Sequence, residues 1–334
     1  MSQYPNPVFP GPAYRGPMTI SQVLERTFRL VRSHLRLFIG LGGVPAFISF
    51  LTVAAVEAVF MIPFFRHFPK PPDRESLAHQ FNPAVTLPLF LICTLISSCV
   101  FALYLAAATR AATQADLGIS ISMGEAWREA RDHAARYLWL LILLYAITFL
   151  PALVIELSTF GGAAMLTLGN PNPGVAVVIV IMLGMLLFFA ALVFGILMVL
   201  RFALAFPACV VEGLTASAAL RRSNQLTSGA KGRIFVVLLV IYVACYVFTM
   251  VLFVVLGALG FIFALVGMAL NIPLASPLGY TAIGFVGLCA LVGFLLYIAL
   301  SWAGLTTTLA VIYHDQRLRH DTPPSKPPSA GLPA

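Results

Sequence analysis

Residues 234–313 read IFVVLLVIYVACYVFTMVLFVVLGALGFIFALVGMALNIPLASPLGYTAIGFVGLCALVGFLLYIALSWAGLTTTLAVIY, from Ile234 to Tyr313, and contain no Asp, Glu, Lys, Arg or His. An α-helix of about 20 apolar residues crosses the hydrocarbon core of a bilayer. An uncharged stretch of this length therefore predicts at least two transmembrane helices.

The whole chain has the composition of a membrane protein. Of its 334 residues, 60% are hydrophobic and 10% are charged, whereas soluble domains average about 45–50% and about 25%. The net charge of +8 would suit a nucleic acid, but the basic residues flank apolar runs instead of gathering on a soluble module. The composition predicts an all-α membrane protein and no nucleic-acid partner.

Six apolar runs are long enough to cross a membrane, which predicts a polytopic bundle of six transmembrane helices. The fifth run contains Gly257, Gly260 and Gly267, so it forms either one span or a span plus a shorter interfacial segment. The runs are Leu37 to Phe65, Thr86 to Thr109, Tyr137 to about Leu168, Gly174 to Leu200, Ile234 to Leu270 and Tyr280 to Ile312.

The basic residues predict the orientation of the bundle. All 20 lysines and arginines except Arg66, Lys70 and Arg74 lie before the first run, between the second and third, between the fourth and fifth, or after the sixth. Because loops rich in Lys and Arg stay in the cytoplasm, both termini are expected there. The proline-rich segments 1–18 and 320–334 are expected to be disordered tails of a membrane domain spanning residues 19–319.

Three similar segments, about 100 residues apart, precede the first, third and fifth runs. Thr19 with Gln22, and Ser122 with Glu125, have the spacing of a helix-capping box. Thr215 occupies the matching place, but its segment lacks the reciprocating Glu or Gln. The pattern predicts three hairpin repeats, at about residues 19–116, 122–212 and 215–315, each opened by a short helix.

Each short helix has one apolar face and one charged face. This is typical of an amphipathic helix at the membrane interface, with its apolar face against lipid or against the bundle. The residues on the three apolar faces are Ile20, Val23, Leu24 and Val31; Met123, Ala126, Trp127 and Ala130; and Ala216, Ala219, Leu220 and Ser223.

The stretch LTSGAKGR, from Leu226 to Arg233, superficially resembles a phosphate-binding loop. A P-loop needs a preceding strand, a glycine directly before the lysine and a hydroxyl after it, and all three are missing here. Gly229 is therefore predicted to end the third short helix in a left-handed conformation. The basic residues at the starts of the odd-numbered spans are candidate anchors for anionic lipid headgroups: Arg36, Arg136, Lys231 and Arg233.

Two acids lie inside apolar runs. Glu57 and Glu156 each follow the arginine at the start of their span, Arg36 and Arg136, by about 20 residues. At 1.5 Å per residue this distance is about 30 Å, which reaches the far edge of the hydrocarbon. They are candidate outer-interface acids, with a proton or cation role as the alternative.

Further charged residues recur near the ends of the returning spans. Arg110 and Arg201 occupy like positions there, and Asp116, Glu212 and Asp315 follow the second, fourth and sixth spans. These residues predict a ring of ion pairs that joins the hairpins at the cytoplasmic face.

No motif indicates catalysis, a cofactor or a metal. The sequence contains neither the G-x-S-x-G nucleophile pattern nor H-E-x-x-H. His67 and His79 share an outer loop with Asp73 and Glu75, but their spacing matches no metal site, so solvation is the expected role. The five cysteines also lack metal-ligand spacing and are expected to be small core residues.

The segment RFALAFPACVVEGLTASAALRRSNQLTSGAKGRIFVVLL, residues 201–239, together with TISQVLERTFRLVRSH near the start and VIYHDQRLR near the end, resembles a bacterial family. That family is labelled the glycerophosphoryl diester phosphodiesterase membrane domain, and the resemblance covers roughly residues 18–319. In such phosphodiesterases the chemistry belongs to a separate barrel domain, which takes about 250 residues. The resemblance implies a six-helix protein of the bacterial inner membrane without the catalytic domain.

The leading functional hypothesis is a membrane scaffold without catalytic activity. Its short helices would contact anionic membrane lipids, a membrane or cytoplasmic protein partner, or both. A transporter or lipid-translocating permease is the alternative, and it would require Glu57 or Glu156 to face a water-filled cavity. An enzyme acting within the membrane is the third hypothesis, and it would require a polar pocket.

Overall fold

The computed structural model describes residues 18–66, 83–169, 174–269 and 277–321, and these residues form ten helices without a strand. The predicted all-α class is therefore confirmed. The helices are α1 (Ile20–Ser33), α2 (Leu35–Arg66), α3 (Pro83–Asp116), α4 (Met123–Asp132), α5 (Ala134–Gly169), α6 (Gly174–Phe202), α7 (Ala205–Val211), α8 (Ala216–Thr227), α9 (Lys231–Ala269) and α10 (Pro277–Asp321).

Six of these helices, α2, α3, α5, α6, α9 and α10, are long and apolar enough to cross a membrane. They pack as three hairpins, α2 with α3, α5 with α6, and α9 with α10. A short helix, α1, α4 or α8, precedes each hairpin. The order of short, long and long helix therefore occurs three times along the chain.

The short helices begin and end where the local sequence dictates. The hydroxyls of Thr19 and Ser122 cap α1 and α4, and the side chains of Gln22 and Glu125 return the bond, so both predicted capping boxes are confirmed. The side chain of Thr215 makes no capping bond to α8. These two bonded caps satisfy backbone N–H groups that have no partner in the first helical turn.

The other ends of the short helices are defined by histidine or glycine. His34 and His133 end α1 and α4 with nearly the same backbone angles, φ −120° and −122°. Gly229 follows α8 with φ +78°, the left-handed conformation that glycine adopts without steric cost. The prediction for Gly229 is therefore confirmed.

The fifth apolar run forms one helix. Helix α9 continues from Lys231 to Ala269 through all three glycines of its outer half, which decides between the two predicted forms of this run. Its 39 residues extend over about 58 Å, which exceeds the hydrocarbon thickness of about 30 Å. The helix therefore projects beyond the hydrocarbon or tilts within it.

Helix α7 was not predicted, because it lies beyond Leu200, the predicted end of the fourth span. Residues 205–210 are all buried, and Pro207 lies in the first turn, where the missing proline N–H breaks no helical hydrogen bond. The signal in the sequence is the apolar run ALAFPACVV, residues 203–211, which continues beyond Arg201.

The core lies at one end of the bundle, which we call the basic end because it carries α1, α4, α7, α8 and nearly all arginines and lysines of the described residues. The short helices bury Val23, Ala126, Ala130 and Ala219 there, so these faces pack against protein. Towards the other end, large apolar side chains are mostly exposed, which suits a lipid environment. The largest buried side chains of the core include Tyr104, Tyr313, Phe38, Leu41, Leu140, Leu204 and Leu226.

The short helices connect successive hairpins. Helix α4 packs on α3, and α8 packs on α6 and α7, so each lies against the end of the preceding hairpin. Helix α1, the first of the described helices, packs on α10, the last of them. The two ends of the described chain are thereby joined, and the contacts of the three short helices follow one circular order.

Candidate functional site at the basic end

Asp315 is the most completely bonded acid of the basic end. Its side chain is 2% exposed, and its two oxygens accept the backbone N–H of Met18 at 2.8 Å, Nη1 of Arg233 at 2.7 Å and Nε of Arg319 at 3.0 Å. Both arginines also donate to the carbonyl oxygen of Met18. A buried carboxylate is tolerated only with such partners, so this cluster joins the start of α1, the start of α9 and the end of α10.

Asp116 forms a second cluster at the end of α3. It accepts two bonds from the guanidinium of Arg26 on α1, at 2.6 Å from Nε and 2.8 Å from Nη2. The carboxylate is largely buried and the guanidinium is partly buried. A bidentate pair of this kind fixes the relative orientation of both elements, here α1 and α3.

Glu212 forms the third cluster, directly after α7. Its Oε1 accepts Nε of Arg222 on α8 at 3.2 Å and the hydroxyl of Tyr313 on α10. Nη2 of Arg222 also reaches both oxygens of Asp321, at 3.0 and 2.9 Å. This cluster therefore joins α7, α8 and the end of α10.

Arg110 and Arg201 connect long helices to the short helices that follow them. Nη2 of Arg110 on α3 lies 2.7 Å from Oε1 of Glu129 on α4. Nε of Arg201 on α6 donates to Oδ1 of Asn224 on α8 at 2.7 Å. The expected ion pair of Arg201 is therefore wrong, because the described residue that faces it is a neutral amide.

Two arginines at the starts of spans bond to protein instead of presenting their charge outward. Nη1 of Arg136 on α5 donates to the carbonyl oxygen of Gly213 at 3.0 Å, and Arg233 on α9 donates to that of Met18. Each carbonyl lies just before a short helix, α8 or α1. Arg233 and Arg136 are both partly exposed, and each is held by protein, Arg233 by Asp315 and Arg136 by its bond to the backbone of Gly213. Their role as lipid anchors stays a prediction.

Sequence reasoning missed these backbone contacts because a carbonyl oxygen carries no residue-specific signal. The only available hint was the position of Gly213, whose φ of +65° places the chain in a tight turn before α8. The equivalent arginine of the first hairpin, Arg36, is exposed and has no bonded partner among the described residues.

Arg36 belongs to a set of exposed cations around the basic end, which we call the basic rim. Within the described part of the chain these side chains have neither an ion pair nor a hydrogen-bond acceptor. They lie on the outward faces of the short helices or at the starts of α2 and α9. The set comprises Arg32, Arg36, Arg128, Arg131, Arg221 and Lys231.

The two predicted outer acids lie on the surface of the long helices. Glu57 on α2 and Glu156 on α5 are both exposed. They are absent from the linings of the two cavities described for the protein, one beside Asp315 and one between α9 and α10. Neither acid therefore belongs to one of these two cavities.

The described residues contain no group of three His, Cys, Asp or Glu side chains that could hold a metal ion. The loop with His67, Asp73, Glu75 and His79 lies outside the described residues. The five cysteines are free thiols, and Cys93 and Cys209 are buried.

The chemistry of this end follows from its charges. Asp116, Glu212 and Asp315 are bonded to arginines, while the six cations of the basic rim have no ion pair or hydrogen-bond acceptor among the described residues, and Arg128 has a nearby acid, Glu125, on its own helix. Such a surface attracts anions, and phosphate groups are the natural acceptors for exposed guanidinium groups.

Comparison of the chain with protein-family models, with curated proteins and with solved structures finds no match. Membership of the phosphodiesterase membrane-domain family therefore stays a prediction.

Proposed function

We propose that this protein is an integral membrane protein of the bacterial inner membrane, without catalytic activity, whose basic rim binds anionic lipid headgroups. In this arrangement both termini and the basic end face the cytoplasm, where anionic lipids lie within reach of the rim. The observation that supports the proposal best is the division of the arginines into two classes. One class is bonded within the protein, and the other is exposed without a partner.

The bonded class makes the rim a fixed platform. Arg26, Arg110 and Arg222 hold α1, α4 and α8 to the ends of the long helices. The exposed cations of the same helices are therefore presented in one orientation. A cation near an anionic membrane surface contributes about 1 kcal/mol, so several fixed cations together give a strong preference for anionic lipid.

The position of the two acids supports this function over transport. A transporter needs ionisable groups in a cavity that reaches the middle of the membrane. Glu57 and Glu156 instead have exposed side chains and line neither of the two cavities described above. A scaffold requires no such path.

The test measures thermal unfolding of the full chain in mixed micelles that contain either phosphatidylglycerol or phosphatidylcholine. We expect phosphatidylglycerol to raise the unfolding temperature, and the double variant Arg36→Gln with Arg128→Gln to lose most of that difference. Lys70→Gln makes a matched charge change in the predicted outer loop and should leave the difference intact. Equal stabilisation by both lipids, or equal effects of rim and control variants, would contradict the proposal.

A further inference from the structure

A lateral groove lies between α9 and α10, above the basic end. It encloses about 190 Å³. The groove is lined on α9 by residues between Leu238 and Tyr246, and on α10 by residues between Tyr297 and Leu305. Three tyrosines and one tryptophan are among its nine lining residues, and Tyr242 is 69% exposed.

The groove is closed at both its outer end and its back. At the outer end the rings of Phe248 and Tyr297 stack across the hairpin with centroids 6.2 Å apart. At the back Trp302 packs edge-on against Phe101 of α3 at 5.0 Å. The result is a short slot, open to the side and bounded by aromatic rings.

The dimensions of the slot favour a single hydrocarbon chain. From Leu238 to Tyr246 it extends over about 12 Å of helix. A helix with its side chains is about 10–12 Å across and cannot enter a space of this volume. A partner helix would also need the groove to continue outward, where the stacked rings of Phe248 and Tyr297 close it.

A free cation lies directly below the slot. Lys231 precedes Leu238 by seven residues and Tyr242 by eleven, which places each of them within about 20° of Lys231 around α9. The side chain of Lys231 is exposed and unpaired within the described residues, whereas Arg233 points to the other side of the helix and is held by Asp315. Lys231 lies about 10 Å along the helix from the start of the slot.

We propose that this slot holds one acyl chain of an anionic phospholipid whose phosphate is bound by Lys231. The proposal rests on the lipid-binding function above and assigns to it a specific site. Charge complementarity selects the headgroup, because Lys231 provides a cation without a protein partner at the level where the phosphate would lie. The apolar and aromatic walls of the slot favour the acyl chain of the lipid.

The test uses the full-length protein in lipid nanodiscs with phosphatidylglycerol that carries a diazirine in one acyl chain. Irradiation followed by peptide mass spectrometry should place the crosslinks on the slot residues of α9 and α10. Crosslinks spread evenly over the exposed faces of α6 and α9 would overturn the proposal. This measurement on the unaltered chain does not depend on the folding of any variant.

Matched variants sharpen the result. Cys245→Trp fills the slot and should abolish the crosslinks, whereas Val247→Trp, at nearly the same depth but on the opposite side of α9, should not. Lys231→Gln should reduce the preference for phosphatidylglycerol over a phosphatidylcholine probe at this site about fivefold. Equal labelling by the two probes in the unaltered protein would refute the role of Lys231.

Two outcomes separate this site from the proposed function. If the rim variants lose the lipid-dependent stabilisation while the slot never labels, the proposed function stands and the slot proposal is wrong. A dimer crosslinked by a bis-maleimide through Cys245, in a chain whose other cysteines are replaced by alanine, would show a second copy at the slot and also overturn it.

Discussion

Asp315→Asn should be among the most destabilising conservative substitutions at the basic end. The change keeps the shape of the side chain but removes the negative charge that Arg233 and Arg319 share. Removing one partner of a buried ion pair costs about 3–5 kcal/mol. Because the two arginine side chains are 20% and 37% exposed, solvent recovers part of this loss, and we expect about 3 kcal/mol.

The assay is unfolding of the detergent-solubilised chain with the other four cysteines replaced by alanine, followed with a thiol-reactive dye that reports exposure of the buried Cys209. Glu25→Gln is the matched control, because it also neutralises an acid in an ion pair with arginine, Arg29, but at an exposed site. That pair should contribute less than about 1 kcal/mol. The double variant of Asp315→Asn with Arg233→Gln should cost less than the sum of the single variants, because it removes both members of the more buried ion pair and leaves only the more exposed Arg319 without its partner. If Asp315→Asn costs no more than Glu25→Gln, the structural role assigned to this cluster is wrong.

Two further predictions concern the ends and the orientation of the short helices. Gly229→Ala should destabilise the protein by about 1 kcal/mol, because φ is +78° there and a residue with a Cβ is strained in that conformation, even though no neighbouring atom would contact the Cβ. The same unfolding assay measures the loss. Gly232→Ala is the control, because Gly232 lies within helix α9 and has equal room for a Cβ, so this change should not destabilise the protein. In a cysteine-free background, Ser122→Cys and Thr215→Cys should react with a membrane-impermeant maleimide only after the cells are opened. Labelling of Thr215→Cys in intact cells would contradict the predicted orientation.

Local patterns were sufficient for much of the architecture. The six apolar runs, the capping boxes at Thr19 and Ser122 and the turn at Gly229 were all predicted from the sequence and found in the structure. Each depends on hydrophobicity over about 20 residues or on side chains a few positions apart, and these are properties that a segment keeps in any context. The acids at 116, 212 and 315 were also singled out by their recurrence after the returning spans.

The pairing of charges could not be predicted in the same way. Asp116 bonds to Arg26, which is 90 residues away in the sequence, and Asp315 bonds to the backbone of Met18, which is 297 residues away. These contacts depend on how the hairpins pack around one another, and the same sequence pattern allows many pairings. Arg201 illustrates the difficulty, because its position suggested a carboxylate partner and the packing of α8 presents an amide.

By itself, the sequence determined that the chain is a six-span helical protein with one strongly basic end, because helix formation in a bilayer and the placement of charge are governed locally. Only the tertiary structure decided which cations are bonded and which remain free, as Arg233 and Lys231 show on the same turn of α9. The physical reason is that two residues separated by two positions lie about 200° apart around a helix. One therefore faces a buried carboxylate, and the other faces the space in which a lipid headgroup would lie.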